Sequence, residues 1–269
     1  MSAKLPRYWA HLKSPDFARL DAARTVAVLP VGATEQHGPH LPLSVDTDLL
    51  EGVLAHSLPH LPADAPVLIL PTQNVGRSIE HESFAGTLSV DSAALIGHWL
   101  DLGRSVARAG IKKLVLLNAH GGNVSTLDIV GRELRARHGL TVLMVHTFDL
   151  QLPPAVQALF SAQEHRFGVH GGEIETSMML ALHPERVDMA QAQDFASSSQ
   201  QRAATYPVLG DGRSARLAWA MHDINPQGAA GHAAAATADK GRAVLQASGQ
   251  VLAQLLTEAC ALAPMQDGR

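Results

Sequence analysis

The feature that most constrains this chain is an alternation of short β-branched or leucine-rich runs with longer segments of helical period. The short runs, read as strands, are residues 25–30, 67–71, 114–118 and 141–146. The helical segments are residues 46–58, 91–109, 123–138, 172–182 and 237–262. Alternation of this kind is typical of βα units, because parallel strands need long crossover connections. The sequence therefore predicts an α/β fold in which helices flank a mostly parallel sheet.

The chain is interpreted as one domain over residues 1–269, because no linker divides it and no repeat of fixed period appears. Between residues 184 and 232 the helical and strand periodicity weakens, and Gln, Ser, Ala, Gly and Pro accumulate. This composition predicts a surface excursion, a lid or a subunit contact rather than a second domain.

Composition excludes several classes of function. With 46% hydrophobic and 17% charged residues, the chain has enough apolar material for a packed core. Its formal net charge is −4 and its Lys and Arg residues are scattered, so we expect neither nucleic acid nor a membrane as partner. Its apolar stretches are shorter than the roughly 18 residues of a membrane helix, and no secretory signal is visible. The single cysteine, Cys260, fits a reducing cytoplasm.

Metal-ligand residue types follow the first three predicted strands. Glu35, His37 and Asp46 follow the first strand, and His120 follows the third. The polar residues after the second strand are Asn74, Glu80, His81 and Glu82. The carboxyl ends of the strands are where open α/β sheets place their functional crevice. We therefore expect these side chains to share one site.

The chemistry of these residues predicts a metal centre. In an extended segment Glu35 and His37 project to the same side, and Asp46 at a helix N-terminus could bridge two ions. Mixed nitrogen and oxygen ligation suits Zn²⁺, Mn²⁺ or Fe²⁺. The ordinary alternatives are that Asp46 caps its helix, that Glu35 pairs with an arginine, and that His37 or His120 is a hydrogen-bonded wall residue. Motifs for phosphate loops, serine hydrolases and zinc proteases of the HExxH type are missing from the sequence.

A second cluster comprises His170, Glu173 and Glu175, just before the apolar part of a predicted helix. If that helix begins near Gly172, the two glutamates lie about 200° apart around it, so both cannot face one ion equally well. One glutamate is then expected to be a ligand and the other to support a ligand or cap the helix. The alternative is that the helix dipole alone favours both carboxylates.

Four motifs in this order resemble those of the creatininase family of metal-dependent amidohydrolases. They are GATEQHGPHLPLSVDTD, EHESFAGTLSVD, NAHGGN and HGGEIETSMMLALHP. Relatives in this family include creatinine amidohydrolase, the formylaminopyrimidine deformylases and the mycofactocin peptidase. The resemblance covers roughly residues 26–261, and the GGN sequence places the chain nearest the branch that resembles the deformylases.

The resemblance implies two divalent ions, Zn, Mn or Fe, at the carboxyl edge of a creatininase-like sheet. Glu35, Asp46 and His120 would hold one ion, and His37 with the bridging Asp46 the other. In creatininase a glutamate two positions after the matching histidine completes the second site, whereas this chain has Gly122 there. We expect Glu173 to take over as that ligand, with a catalytic role as well.

The resemblance also implies substrate contacts and an assembly. Phe148 and Phe167 lie near the positions of the tryptophans that cover the substrate in creatininase, and His170 matches a catalytic or substrate-contacting histidine. We add His81 to the expected substrate-binding residues. Relatives form rings of six subunits, so a homo-oligomer is expected.

These considerations predict hydrolysis of a C–N bond in a small cyclic amide or N-formyl compound through a metal-bound hydroxide, with His170 protonating the leaving nitrogen. The departure at Gly122 counts against creatinine, although creatinine amidohydrolase itself stays an alternative. A phosphoesterase is a weaker alternative, because it would need basic residues near the metal loops, where only Arg77 is at hand. An alternative of another class is a metal-stabilised binding or assembly protein without catalysis, which would fill every coordination position of the metal.

Overall fold

The computed structural model of this protein describes residues 5–266. Its main sheet has four strands, all parallel, in the order β2, β1, β3, β4. The strands are β1 (Val26–Val31), β2 (Val67–Ile69), β3 (Lys113–Asn118) and β4 (Thr141–His146). The fold class is therefore the α/β architecture that the sequence predicts.

Helices cover both faces of the sheet. They are α1 (Val45–Ser57), α2 (Ser92–Arg108), α3 (Val124–His138), α4 (Pro154–Gln157), α5 (Ala162–Phe167), α6 (Glu173–Leu182), α7 (Ser198–Thr205), α8 (Met221–Ile224) and α9 (Ala238–Ala261). The long helices begin and end within one or two residues of their predicted bounds. The short helices α4, α5, α7 and α8 have too few turns to show a period in the sequence.

The strand β1 shows why the sheet lies between two helical layers. Val26 and Val28 pack with α1, α6 and α9, whereas Ala27 and Leu29 pack with α2 and α3. Because successive side chains of a strand point to opposite faces, both faces of β1 must be covered, and all six of its residues are buried. The core therefore has two apolar layers, and the carboxyl ends of the strands stay free for the site.

A buried lysine ties the sheet to the last helix. Lys113 opens β3 and is fully buried. Its Nζ donates hydrogen bonds of 2.8 Å to the backbone carbonyl oxygens of Ala259, Cys260 and Leu262. These carbonyls lie at the C-terminal end of α9, where backbone acceptors lack partners within the helix. The lysine therefore both caps α9 and fixes it against the sheet.

The segment of residues 184–232 is mostly irregular, with α7, α8 and a small antiparallel pair of strands, β5 (Asp194–Phe195) and β6 (Gly231–His232). It returns to the main body where the His170 and Ala230 backbones form an antiparallel bridge. Among the helices of residues 5–266, none has the length and apolar character to cross a membrane.

Candidate metal centre

The loop that follows β1 directs two side chains into the interior. Glu35 and His37 are 1% and 0% exposed. The Nδ1 of His37 lies 3.1 Å from the backbone oxygen of Glu35, so this nitrogen donates and leaves the lone pair of Nε2 free. That Nε2 faces the Oδ1 of Asp46 at 3.4 Å. A backbone hydrogen bond thus sets the ring orientation that a metal-ligating histidine needs.

His120 is held in the same manner after β3. Its backbone N donates to the Oδ1 of Asn118, and its Nε2 donates to the carbonyl oxygen of Arg77 at 2.8 Å. The Nδ1 therefore points its lone pair the other way. It lies 3.3 Å from the Oε1 of Glu35 and 3.3 Å from the Oδ2 of Asp46. The ligand atoms of Glu35, Asp46 and His120 form one candidate ion site, with every pair within 4.8 Å.

A second candidate site shares Asp46. Ligand atoms of His37, Asp46 and Glu175 also lie within 4.8 Å of one another. Glu175 stands in the first turn of α6, and its Oε2 accepts a 2.6 Å hydrogen bond from the backbone N of Gly171. Asp46, in the first turn of α1, contributes to both sites, which is the arrangement expected of a bridging carboxylate.

The buried polar atoms of this cluster fit divalent cations. Within residues 5–266 both carboxylate oxygens of Glu35, the Nε2 of His37 and the Oδ2 of Asp46 are buried without a hydrogen-bond partner. The Oε1 of Glu35, the Nε2 of His37 and the Oδ2 of Asp46 lie 3.3 to 3.4 Å from charged neighbours, in the contacts given above. Leaving such atoms unsatisfied is costly, and a cation satisfies all of them together.

The pKa values of the two histidines also indicate that this cluster favours positive charge. Burial pushes the pKa of His37 down, but the negative charges of Asp46, Glu175 and Glu35 outweigh it and raise that pKa to about 9. The pKa of His120 is likewise raised well above its usual value, because Glu35 and Asp46 outweigh its burial. The cluster therefore attracts positive charge, which protons or metal ions supply.

The contacts of these residues bear on each of the ordinary alternatives. Asp46 does not cap α1, whose N-cap residue is Ser44. Glu35 forms no ion pair with an arginine within residues 5–266, and its charged neighbours are histidines. His37 and His120 do form backbone hydrogen bonds, but each keeps its other nitrogen directed at a carboxylate.

The two glutamates of α6 separate, but not in the expected way. The carboxylate of Glu173 pairs with the Nζ of Lys240 on α9. Its backbone N donates to the Oε1 of Glu164, which fixes the start of the helix. Because α6 begins at Glu173, the residue that turns toward His37 and Asp46 is Glu175. The geometry thus makes Glu175 the candidate ligand, in the position that the sequence assigned to Glu173.

Glu80 occupies the space beside Gly122. A Cβ added at Gly122 would lie 2.3 Å from the Oε1 of Glu80, 2.3 Å from the carbonyl oxygen of Arg77 and 2.4 Å from the Nε2 of His120. The Oε1 of Glu80 is 3.7 Å from that same nitrogen, and its Oε2 is buried without a partner within residues 5–266. A carboxylate from the loop after β2 therefore stands where a side chain at position 122 would begin. The sequence places Glu80 among the polar residues after the second strand, but no pattern in it predicts the contact with position 122.

His81 and His170 line the carboxylate cluster. The Nε2 of His81 is 3.3 Å and the Nδ1 of His170 is 3.8 Å from the Oε1 of Glu35, and the two rings stack with centroids 4.2 Å apart. His170 donates from Nε2 to the carbonyl oxygen of Gln36 at 2.7 Å. Burial, followed by the neighbouring His37, lowers the pKa of His81 to about 3 and that of His170 well below its usual range.

The two phenylalanines expected near the substrate lie in different places. Phe148 is 55% exposed and stacks on His146 with ring centroids 5.4 Å apart. It borders an apolar cavity of about 280 Å³ that reaches Glu175. Phe167 lies under the guanidinium of Arg166 and borders another cavity, whose lining does not include Glu175, His37 or His120. The two rings therefore do not cover one common pocket.

A cavity of about 470 Å³ opens onto the first candidate ion site. Its walls include Glu35, Glu80, His81, His120 and His170. This volume is within the range of small-ligand pockets.

Comparisons with known proteins point to one family. The family described as creatininase, creatinine amidohydrolase, matches residues 10–256. Creatinine amidohydrolase of Pseudomonas putida is 35% identical over 204 residues, which cover 71% of this chain and 77% of that protein. A mycofactocin precursor peptide peptidase of Mycobacterium ulcerans is 34% identical over 229 residues, covering 81% of this chain and 78% of that protein.

Solved structures show the same relationship. A structure described as "Creatininase Mn" superposes with a TM-score of 0.72 at 29% identity, covering 94% of this chain and 98% of that one. The family match, the relatives and the common architecture together establish that this chain belongs to the creatininase family, whose members are metal-dependent hydrolases acting on C–N amide bonds.

Proposed function

We propose that this protein binds two divalent cations and hydrolyses a C–N amide or formamide bond in a small substrate. Glu35, Asp46 and His120 would hold one cation; His37, Asp46 and Glu175 would hold the other. The observation that carries the proposal is the pair of three-residue clusters that share Asp46, with buried ligand atoms left unsatisfied by residues 5–266. Zn, Mn and Fe all suit such ligands.

Divalent cations bound at these positions supply Lewis-acid chemistry, which lowers the pKa of water and polarises a substrate carbonyl. The protein contributes the orientation of its ligands. The carbonyl oxygens of Glu35 and Arg77 fix the rings of His37 and His120, so no reorganisation is needed at the moment of reaction. Burial of the carboxylates keeps bulk water away and strengthens their interaction with positive charge.

His170 handles the proton in this proposal. Its Nε2 donates to the carbonyl oxygen of Gln36, which leaves the lone pair of Nδ1 free. The free Nδ1 accepts a proton from the attacking water and then delivers it to the leaving nitrogen. His170 is therefore a base before it is an acid, which refines the expectation that it simply donates.

The substrate occupies the cavity of about 470 Å³ that reaches Glu35 and His120. The carboxylate of Glu80 borders it in place of a side chain at Gly122, so the wall differs from the one that the resemblance to creatininase implies. We therefore expect creatinine to be a poor substrate and an N-formyl or cyclic amide compound to be a better one. The small apolar cavity beside Phe148 would receive an apolar part of the molecule.

We further propose a single domain with a surface excursion at residues 184–232, a homo-oligomer and a cytoplasmic location. The oligomer rests on the ring of six implied by the family, and the location on the single cysteine, which is buried in α9.

The deciding experiment is reconstitution of chelated protein with Zn²⁺, Mn²⁺ or Fe²⁺, followed by a screen of creatinine, formylaminopyrimidines and small lactams. Released amine or formate is measured together with metal content. We expect turnover to appear only in metal-loaded protein and to prefer substrates other than creatinine. Full turnover in metal-free protein would refute the proposal. Bound metal with no site for water and no turnover on any compound would favour a non-catalytic protein.

A further inference from the structure

A cavity lined by arginines adjoins the candidate metal centre. Its volume is about 830 Å³, and four arginines line it: Arg166, Arg202, Arg213 and Arg216. It shares Val169, Arg216, Leu217 and Trp219 with the cavity of about 470 Å³ that reaches Glu35 and His120. The two cavities therefore adjoin each other along a shared wall.

Little negative charge balances these guanidinium groups. Within residues 5–266 none of the four forms an ion pair with a carboxylate. Arginines that do form such pairs elsewhere are Arg19, Arg24, Arg104, Arg132, Arg137, Arg186 and Arg242. The one acid that lines the cavity, Asp211, accepts hydrogen bonds from Ser214 and from the backbone of Arg213. It offsets only part of the charge.

The guanidinium groups are partly fixed in place. Arg166 lies over the ring of Phe167 at 4.9 Å and donates to the carbonyl oxygen of Gly210 at 3.1 Å. Arg202 donates to the Oγ of Ser199 at 2.9 Å. These contacts orient two of the groups while leaving further N–H donors free. Arg216 has no polar partner within residues 5–266 and lines both cavities, so it stands between them.

We propose that this cavity binds an anionic group of the substrate, a phosphate or a carboxylate, while the scissile C–N bond lies at the metal centre. The proposal rests on the proposed function and names its substrate class. Planar guanidinium groups bind both anions through paired N–H donors. The chain as a whole has a formal net charge of −4, so this concentration of positive charge is a local feature and not a general property of its surface.

The position of the arginines also separates this proposal from phosphoester hydrolysis. A phosphate that reacts must lie at the metal ligands, with basic groups around it. Here three of the four arginines, Arg166, Arg202 and Arg213, line the arginine cavity and do not line the cavity at the metal centre. The anion they hold is therefore remote from the reacting bond, where it contributes to binding rather than to chemistry.

The test measures binding of inorganic phosphate and of succinate to the metal-loaded protein by calorimetry. The test variant is Arg213→Gln combined with Arg216→Gln, and the control is Arg104→Gln, an exposed arginine on α2 that pairs with Asp101. We expect at least one of the anions to bind, and the double variant to bind it about 10-fold more weakly or worse, with metal content and thermal midpoint unchanged. The stronger of the two anions identifies the group as phosphate or carboxylate.

A metal-deficient variant, Asp46→Asn, separates the two sites. It should retain anion binding, because Asp46 does not line the arginine cavity. Loss of anion binding in Asp46→Asn would place the anion at the metal centre and overturn the proposal, as would unchanged anion binding in the double arginine variant. If the arginine substitutions alter only the oligomeric state, the cavity is a subunit contact and the proposal also fails.

Once a substrate is known, the same double variant should raise KM about 10-fold with little change in kcat, since uniform binding is lost. An equal fall in kcat would instead assign the arginines to the reaction itself and contradict the proposal. If the protein binds the anion but hydrolyses none of the compounds, the proposed function is contradicted and the proposed anion site is still supported.

Discussion

The Nδ1 of His120 lies 3.3 Å from the Oδ2 of Asp46, and its other ring nitrogen donates to a backbone carbonyl oxygen. Neither contact arises from neighbours in sequence. The carboxylate comes from the first turn of α1 and the imidazole from the loop after β3, and parallel strands bring the two segments to one edge of the sheet.

Asp46 should be indispensable to both proposed ion sites, because it is a member of both the Glu35–Asp46–His120 and the His37–Asp46–Glu175 cluster. We expect Asp46→Asn to lower metal affinity by more than the roughly 10- to 100-fold that loss of an outer partner costs, and to remove turnover. Asp48→Asn is the matched control, two residues along α1, where the carboxylate pairs with Arg186. Metal analysis after dialysis is the measurement. Normal metal content in Asp46→Asn would contradict the assignment.

Substitution of one glutamate of α6 should change the metal content, and substitution of the other should change the stability. Glu175→Gln should reduce bound metal from two ions to one, because its carboxylate faces His37 and Asp46. Glu173→Gln should keep both ions but lower the free energy of unfolding by about 1–3 kcal/mol, since Lys240 loses its partner. Metal stoichiometry and urea denaturation of both variants distinguish the roles. Loss of one ion in Glu173→Gln alone would restore the assignment made from the sequence.

Position 122 should not tolerate even the methyl side chain of alanine. The Cβ of Gly122→Ala would meet the Arg77 carbonyl oxygen and the Nε2 of His120 at 2.3 and 2.4 Å. We expect a loss of about 1–3 kcal/mol in unfolding free energy and weaker metal binding, because the ring of His120 must move. Gly121→Ala is the neighbouring control, since nothing lies within 4 Å of its Cβ. Equal behaviour of the two variants would argue against the packing described around Glu80.

The buried imidazole of His40 should make stability depend on pH. Burial, followed by the neighbouring His37, lowers its pKa to about 4 from 6.5. The unfolded chain therefore binds more protons between these values, so stability is full above pH 6.5 and falls as pH drops toward 4. We expect His40→Asn to flatten this decline in urea midpoints of chelated protein. The exposed His60→Asn is the control, and an unchanged pH profile in His40→Asn would contradict the prediction.

Lys113 should stabilise the fold without affecting the metal centre. Replacing it in Lys113→Met leaves the carbonyl oxygens of Ala259, Cys260 and Leu262 without their donor. A loss of about 2–5 kcal/mol in unfolding free energy is expected, with metal content unchanged. Lys112→Met changes the exposed neighbouring lysine and should be nearly neutral. Comparable denaturation midpoints for the two variants would show that the buried amine contributes little.

The sequence predicted the strands and long helices because each carries its own period and its own apolar face. β1 and α2 are recognisable from their residues alone, and the ends of the parallel strands predicted which loops meet. Glu35, His37, Asp46 and His120 follow directly from that rule. Several ligand types at successive strand ends indicate the site together, whereas no one of these residues indicates it alone.

The sequence could not decide between Glu173 and Glu175, because that choice depends on the residue at which α6 begins. A shift of one residue rotates the helix by about 100° and changes which carboxylate faces inward. The partner of Glu173, Lys240, lies on a helix far along the chain, and no local pattern connects the two. The relation between Glu80 and Gly122 has the same origin, since it depends on the packing of two loops that follow different strands.

The candidate ligands come from the loop after β1, the start of α1, the loop after β3 and the start of α6. A nascent chain lacks Glu175 until synthesis has passed more than half of its length, and even then the ligands meet only when the sheet has closed. Loading of both proposed ion sites must therefore come late in biogenesis. A content of two ions per chain would then indicate that synthesis passed Glu175 and that the sheet had formed, which would make metal stoichiometry a simple quality check on every preparation.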